Sequence, residues 1–218
     1  MRKLNRGTKP KCVEKHRRAN STWKELSTNR ECNAEVWQHL ETMQGSFCAY
    51  CESHLHERQR HIEHFFRRRD VPRMTFEWAN FFGSCDEPDS CGKYKDNKAS
   101  KTIDLAKVCK PDIMNPAEYL LFLSNGHVMP RDGLGAADAE IAENTIKVFN
   151  LNGSPKLVGK RRAAMRAERP LAKAYFQAMN DCLGEPDLES LLGQELEVEL
   201  ARISSSEYSV ALRQVWEV

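Results

Sequence analysis

Residues 47–52 read Phe-Cys-Ala-Tyr-Cys-Glu and residues 84–92 read Ser-Cys-Asp-Glu-Pro-Asp-Ser-Cys-Gly, and the reading of the chain turns on these four cysteines. Two residues separate Cys48 from Cys51, a gap that lets both sulfurs reach one ion. Five separate Cys85 from Cys91, more than most zinc knuckles use. Four thiolates in two pairs suit a structural Zn²⁺, which prefers soft sulfur ligands in a tetrahedron. The competing readings are unliganded cysteines in a core and a redox Cys-x-x-Cys. The second lacks the strand and helix pattern of a thioredoxin-like site. The other four cysteines, Cys12, Cys32, Cys109 and Cys182, are scattered and read as small buried hydrophobes.

Between the pairs lies Arg60-His-Ile-Glu-His-Phe65. Its alternation predicts a short strand, with Ile62, His64 and Phe66 on one face and Glu63 and Phe65 on the other. Phosphodiester hydrolysis needs a base to activate water and a divalent cation to hold the phosphate. His64 is a candidate base, and Glu63 offers hard carboxylate oxygen to Mg²⁺ or Mn²⁺. Strand alternation sets these two neighbours on opposite faces, so the scheme needs a backbone twist or a site at the strand edge. His61 alternates with Glu63 and is a second candidate for that face.

The stretch from Cys48 to Asn97 resembles a His-Asn-His (HNH) endonuclease domain of the ββα-metal fold, in particular the small PtuB-type nucleases of retron and Septu antiphage systems. The resemblance is carried by Phe-Cys-Ala-Tyr-Cys-Glu at 47–52, Ile-Glu-His-Phe at 62–65, Glu-Trp-Ala-Asn-Phe-Phe at 77–82, Ser-Cys at 84–85 and Cys-Gly-Lys-Tyr-Lys-Asp-Asn at 91–97. The opening Met-Arg-Lys-Leu and the run from Asn144 to Asn152 are also similar to this group. The resemblance implies His64 as general base and Glu63 as a ligand of the catalytic metal. It implies Asn80 as the residue that orients the histidine loop through its backbone. Cys48, Cys51, Cys85 and Cys91 would hold a structural zinc that staples the strand pair to a helix. It further implies a PtuA-like ATPase as partner and, in retron settings, a reverse transcriptase with its RNA-linked DNA. DNA is the favoured target and tRNA the other.

One departure stands out. The family's last site residue, His or Asn, follows the final cysteine, where this chain has Gly92. Asp96, one helical turn on, and Asn97 beside it are the candidates to replace it. The departure also keeps open a second class of function, a zinc-stapled nucleic-acid-binding or adaptor module without chemistry.

The rest of the chain frames this segment. Its 218 residues suffice for a sizeable core, and 4 Trp, 9 Phe and 5 Tyr supply material for one. No apolar run reaches membrane-spanning length, and the basic N-terminus lacks a following apolar stretch, so a reducing cytoplasmic setting is expected. The formal net charge of +2 hides an asymmetry. Residues 1–110 carry 22 basic and 15 acidic groups, and residues 111–218 carry 11 and 16. A basic, weakly structured arm over 1–20 is therefore a candidate for phosphate contact. So are Arg67, Arg68 and Arg69, with Lys93, Lys95 and Lys98 on the expected helix. Glu52 either braces a histidine or faces solvent. His54 and His56 read as surface, His127 as hairpin surface or core, and the Phe65-Phe66 and Phe81-Phe82 pairs as core.

The expected fold class is α+β, a zinc-stapled ββα-metal finger in a mainly helical protein. The expected divisions are 1–45, a basic arm and helices, 46–100, the finger, and 101–218, helices with a short hairpin that docks a partner. Helices are expected over 21–43 with a break near 27–29, over 136–149, over 155–183 with a break before Pro170, and within 187–216, where Asp187 is a candidate cap. Leu171, Tyr175, Met179 and Cys182 read as a core-facing stripe. The Asn125-Gly126 turn joins two expected strands.

Overall fold

The computed structural model describes residues 1–217. The chain is mainly helical among these residues, with two small antiparallel hairpins. Three helices lead in: α1 (Lys11–Arg18), α2 (Trp23–Thr28) and α3 (Arg30–Gln44). The break between α2 and α3 is chemical. Thr22 and Glu25 form a capping box that starts α2, and the Asn29 side chain accepts from Cys32 N to start α3 at once. Gly45, at φ 65°, ends α3 in a conformation that suits glycine. The arm is more ordered than expected. Met1, Leu4 and Val13 are buried, and α1 begins directly after Pro10.

The finger follows. β1 (Arg60–His64) pairs antiparallel with β2 (Phe81–Cys85), from Arg60 opposite Cys85 to His64 opposite Phe81. α4 (Cys91–Asn97) then packs on β2. On the other side α3 lies against β2 because Gly83 has no side chain. A Cβ there would meet Gln44 Nε2 at 2.7 Å and Trp37 at 2.9 Å. Gln44 uses that space to bond the strand backbone, accepting from Gly83 N and donating to Gly83 O, each at 2.9 Å.

The second hairpin, β3 (Leu120–Phe122) and β4 (Val128–Pro130), turns at Gly126, φ 87°. After it come α5 (Ala136–Val148), α6 (Pro155–Asp181), α7 (Pro186–Ser204) and α8 (Ser209–Arg213). Helix α6 runs through Pro170 without the expected break. Proline forfeits one backbone hydrogen bond, but the residues around it are pinned. Buried Glu168 accepts from Trp216 Nε1 at 3.0 Å and pairs with Arg202, and Ala172 and Tyr175 are buried. Tyr175 does face inward, whereas Leu171 is 53 % exposed, so the buried stripe passes through Ala172 instead. Asp187 lies in the first turn of α7 and does not cap it. No helix is long and apolar enough to cross a membrane.

Three other expectations are corrected. Cys12 and Cys32 form a disulfide rather than serving as separate core residues, because α1 folds back onto α3. Cys109 is buried as expected, and Cys182 is half-exposed. Glu52 neither braces a histidine nor faces solvent. It is buried at φ 64°, pairs with the Met1 nitrogen and Arg2, and accepts from Ser209 Oγ at 2.7 Å. Much of the basic arm is committed to the fold. Arg6 lies over the Trp78 and Phe82 rings, donates to the carbonyls of Trp78 and Phe81, and pairs with Asp112 at 2.7 Å.

Candidate functional site

Cys48 and Cys51 sit in a knuckle tied to β2 by a hydrogen bond from Ala49 N to Gly83 O at 3.0 Å. Cys85 ends β2 and Cys91 opens α4. Pairing between the strands and the packing of α4 bring these four buried sulfurs within 4.8 Å of one another. The Cys51 and Cys85 sulfurs are 3.9 Å apart, and a Zn²⁺ tetrahedron sets neighbouring sulfurs about 3.8 Å apart. The donor set and spacing therefore fit a structural zinc. Burial pushes the Cys48 thiol up, but hydrogen bonds from Cys51, Cys85 and Cys91 outweigh it and hold the group well below the usual thiol range. Cys91 is pushed up by burial and by its sulfur neighbours. Four thiols thus crowd into a volume where a single cation is the natural means of holding several thiolates together.

Strand β1 keeps its alternation to the end. Glu63 faces α4 and His64 faces away from it, toward α2. His64 is 5 % exposed. Its ring meets Trp23 edge-on with centroids 4.3 Å apart and Phe81 at 4.9 Å. Its Nε2 is 3.0 Å from Thr75 O. A carbonyl only accepts, so Nε2 carries the hydrogen and Nδ1 keeps a free lone pair. Burial pushes the imidazole down to about 4, leaving it neutral at pH 7. No hydrogen bond or ion pair joins this ring to the Glu63 carboxylate among the described residues. The expected convergence of the two side chains on one point is thus not what the structure shows, because the regular pairing with Phe81 and Phe82 preserves the strand's two faces.

Asn80, fully buried, closes the loop between the strands. Its Oδ1 accepts from Phe66 N at 2.7 Å, and its Nδ2 donates to Phe66 O at 3.0 Å and Met74 O at 3.1 Å. One side chain therefore ties together the two loop ends that flank His64 and Thr75.

Glu63 is 2 % exposed and lies against Gly92. A Cβ at position 92 would sit 2.5 Å from Glu63 Oε2, so the missing side chain of Gly92 is what makes room for the carboxylate. His61 shares this face, with Nε2 3.2 Å from Glu63 Oε2 and Nδ1 2.8 Å from Asp86 Oδ1. Burial pushes Glu63 up, but Lys95 and His61 outweigh this and hold it below the usual carboxylate range. Asp96 Oδ1 is 2.8 Å from Lys95 Nζ, whose Nζ is in turn 2.6 Å from Glu63 Oε1. Asp96 therefore joins Glu63 around one point. Asn97 does not, since it is exposed and donates back to Lys93 O at 2.9 Å. The hard oxygens of Glu63 and Asp96 are a donor set that fits Mg²⁺ or Mn²⁺.

Two of the expected phosphate contacts are structural instead. Arg67 is buried and donates to Lys95 O at 2.7 and 3.2 Å, and Lys95 is itself buried. Arg68 and Arg69 are exposed. Lys95 is the site residue whose place was not anticipated. Its helical offset of four from Cys91 was a usable signal, since Cys91 is buried and the two share a helix face.

Taken together, a buried cluster of four cysteines lies beside a two-stranded sheet and a short helix, the general shape of an HNH-like finger within a helical body. No protein-family model matches the chain, and no curated protein matches it.

Proposed function

We propose that this chain is a metal-dependent endonuclease of the HNH type that hydrolyses nucleic-acid phosphodiester bonds, DNA before tRNA, as effector of an antiphage complex with a PtuA-like ATPase. In retron settings a reverse transcriptase and its RNA-linked DNA join that complex. The observation that carries the reading is the Asn80 brace. It holds the loop so that the Thr75 carbonyl fixes the imidazole hydrogen on Nε2 and leaves Nδ1 of His64 as the proton acceptor. In this scheme His64 takes the proton of the attacking water. Glu63 and Asp96 would hold the divalent ion on the opposite face of β1, so cleavage requires the strand edge to rearrange until that ion and the imidazole reach one phosphate. When bound, that ion supplies charge stabilisation to the phosphate and the leaving oxygen. Arg68 and Arg69 receive backbone phosphates, and zinc at the four cysteines keeps the finger folded.

A second reading, a zinc-stapled nucleic-acid-binding or adaptor subunit without catalysis, is favoured by the cover over His64. Trp23 and Phe81 both pack edge-on against its ring. Cleavage of plasmid, single-stranded DNA and tRNA, with Mn²⁺ and with the partner ATPase, separates the two. We expect His64→Ala to lose cleavage at least about 100-fold, the scale of a lost general base, while keeping its zinc. His64→Gln, which retains a donor for Thr75 O, serves as the gentler variant. Undiminished cleavage by both would refute the nuclease assignment.

A further inference from the structure

The Glu63 carboxylate is not open to solvent. Lys95 Nζ stands 2.6 Å from Glu63 Oε1 and 2.8 Å from Asp96 Oδ1. The same ammonium donates to the backbone carbonyls of His64 at 2.6 Å and Phe65 at 3.2 Å. Four oxygens, from β1, the residue after it and α4, therefore close on one positive charge that is fully buried. The carbonyls take hydrogen bonds from the ammonium. Glu63 Oε1 and Asp96 Oδ1 are buried at ion-pair distance with no aligned donor among the described residues.

Two carboxylates and two carbonyls make a cage of hard oxygen, which is what Mg²⁺ and Mn²⁺ take. One position does not hold both an ammonium nitrogen and a metal ion. Leaving it without either would set two carboxylates facing each other with Arg67 Nε, 3.6 Å from Asp96 Oδ1, as the remaining cation beside them. Gly92 belongs to the same arrangement, since only the missing Cβ lets Glu63 lie close against α4. Asp96 forms the open wall of the cage, its side chain being 44 % exposed. Withdrawal past it would use the flexible four-carbon lysine stem.

We propose that Lys95 is a tethered cation that fills the divalent-ion position in the resting chain, so that entry of the ion and withdrawal of this side chain are one exchange. The proposal rests on the nuclease reading and adds a competitor built into the site. The chain folds its acidic cage without a metal, and it presents that cage only to an ion that outcompetes the ammonium.

The test is a Mn²⁺ titration of zinc-loaded protein, with free Mn²⁺ followed by its paramagnetic resonance signal, for the natural chain, Lys95→Met and Glu63→Gln. We expect Lys95→Met to bind Mn²⁺ at least about tenfold more tightly, the scale of one lost charged interaction, and Glu63→Gln to bind none at this site. If Lys95→Met binds no more tightly while Glu63→Gln still abolishes binding, the exchange is overturned and the nuclease reading stands. If neither the natural chain nor Lys95→Met binds Mn²⁺ at Glu63, both fall. Should Lys95→Met fail to fold, acetic anhydride labelling of the natural chain, read by mass spectrometry, supplies the same decision. Lys95 is expected to be protected without Mn²⁺ and acetylated at saturating Mn²⁺. Protection that persists at saturation overturns the proposal.

Discussion

At Gly92 a missing side chain is a packing feature. The carboxylate of Glu63 occupies the volume that any other residue would claim, with contact distances of 2.5–3.0 Å to an added Cβ. Gly92→Ala therefore forces either Glu63 or the start of α4 to move. It is expected to lower stability by about 2 kcal/mol, the usual scale of overpacking, and a fall in the urea midpoint checks it. A substitution that leaves the midpoint unchanged would show that the carboxylate relocates freely. The cysteine positions were legible in the sequence because a two-residue gap is a local signal. The place of Lys95 was not, because its partners lie about 30 residues back, on β1 and just after it, and only the packing of α4 brings them together. Glu52 was misread for the same reason, its partners being the first two residues and α8.

Helix α2 is a short element with one large side chain over the imidazole. Thr22 and Glu25 fix its start, and Trp23 sits at its first position, between His64 and the Arg68 guanidinium. Removing the indole should uncover His64. Trp23→Ala is expected to raise the rate of His64 modification by diethyl pyrocarbonate several-fold, and unchanged protection would assign the cover to Phe81 and the loop alone. The N-terminal arm offers a pH test. Burial raises the Asp112 carboxyl, but hydrogen bonds from Lys110 and Arg6 outweigh it and hold the group below its ordinary value. A carboxyl lowered in the folded state stabilises fully above its unfolded value, about 3.9. That stabilisation is lost as pH falls through the folded value. Asp112→Asn should therefore be less stable than the natural chain at pH 7, and the gap should close below pH ~4, as urea midpoints across that range would show. The break near Asn29 was readable as local chemistry. The disulfide of Cys12 with Cys32 and the continuity of α6 through Pro170 were not, since each depends on what the element packs against.

Across the whole molecule the finger and the helical body meet at the cysteine cluster. Because a metal site of this kind contributes directly to folding free energy, one Zn²⁺ per chain is expected. Its removal by a chelator should lower the melting temperature and release amide-exchange protection in residues 47–97 before that in α6. Simultaneous loss of protection everywhere would show instead that finger and body unfold as one unit. The general shape was legible, the cysteine pairs and the first strand through spacing and alternation, and the second strand with its helix through the family resemblance. The covering of His64 was not, because α2 reaches it from about 40 residues away.

Cys91 holds φ at 56°, a backbone state that a non-glycine residue keeps only when its neighbours impose it. The constraint is a hydrogen bond from Cys91 N to Phe149 O at 2.9 Å, and Phe149 caps the end of α5 while its ring stacks 3.9 Å from that of Tyr50, between Cys48 and Cys51. Mechanical load on α5 is thereby delivered to both halves of the sulfur cluster, through a peptide on one side and an aromatic stack on the other.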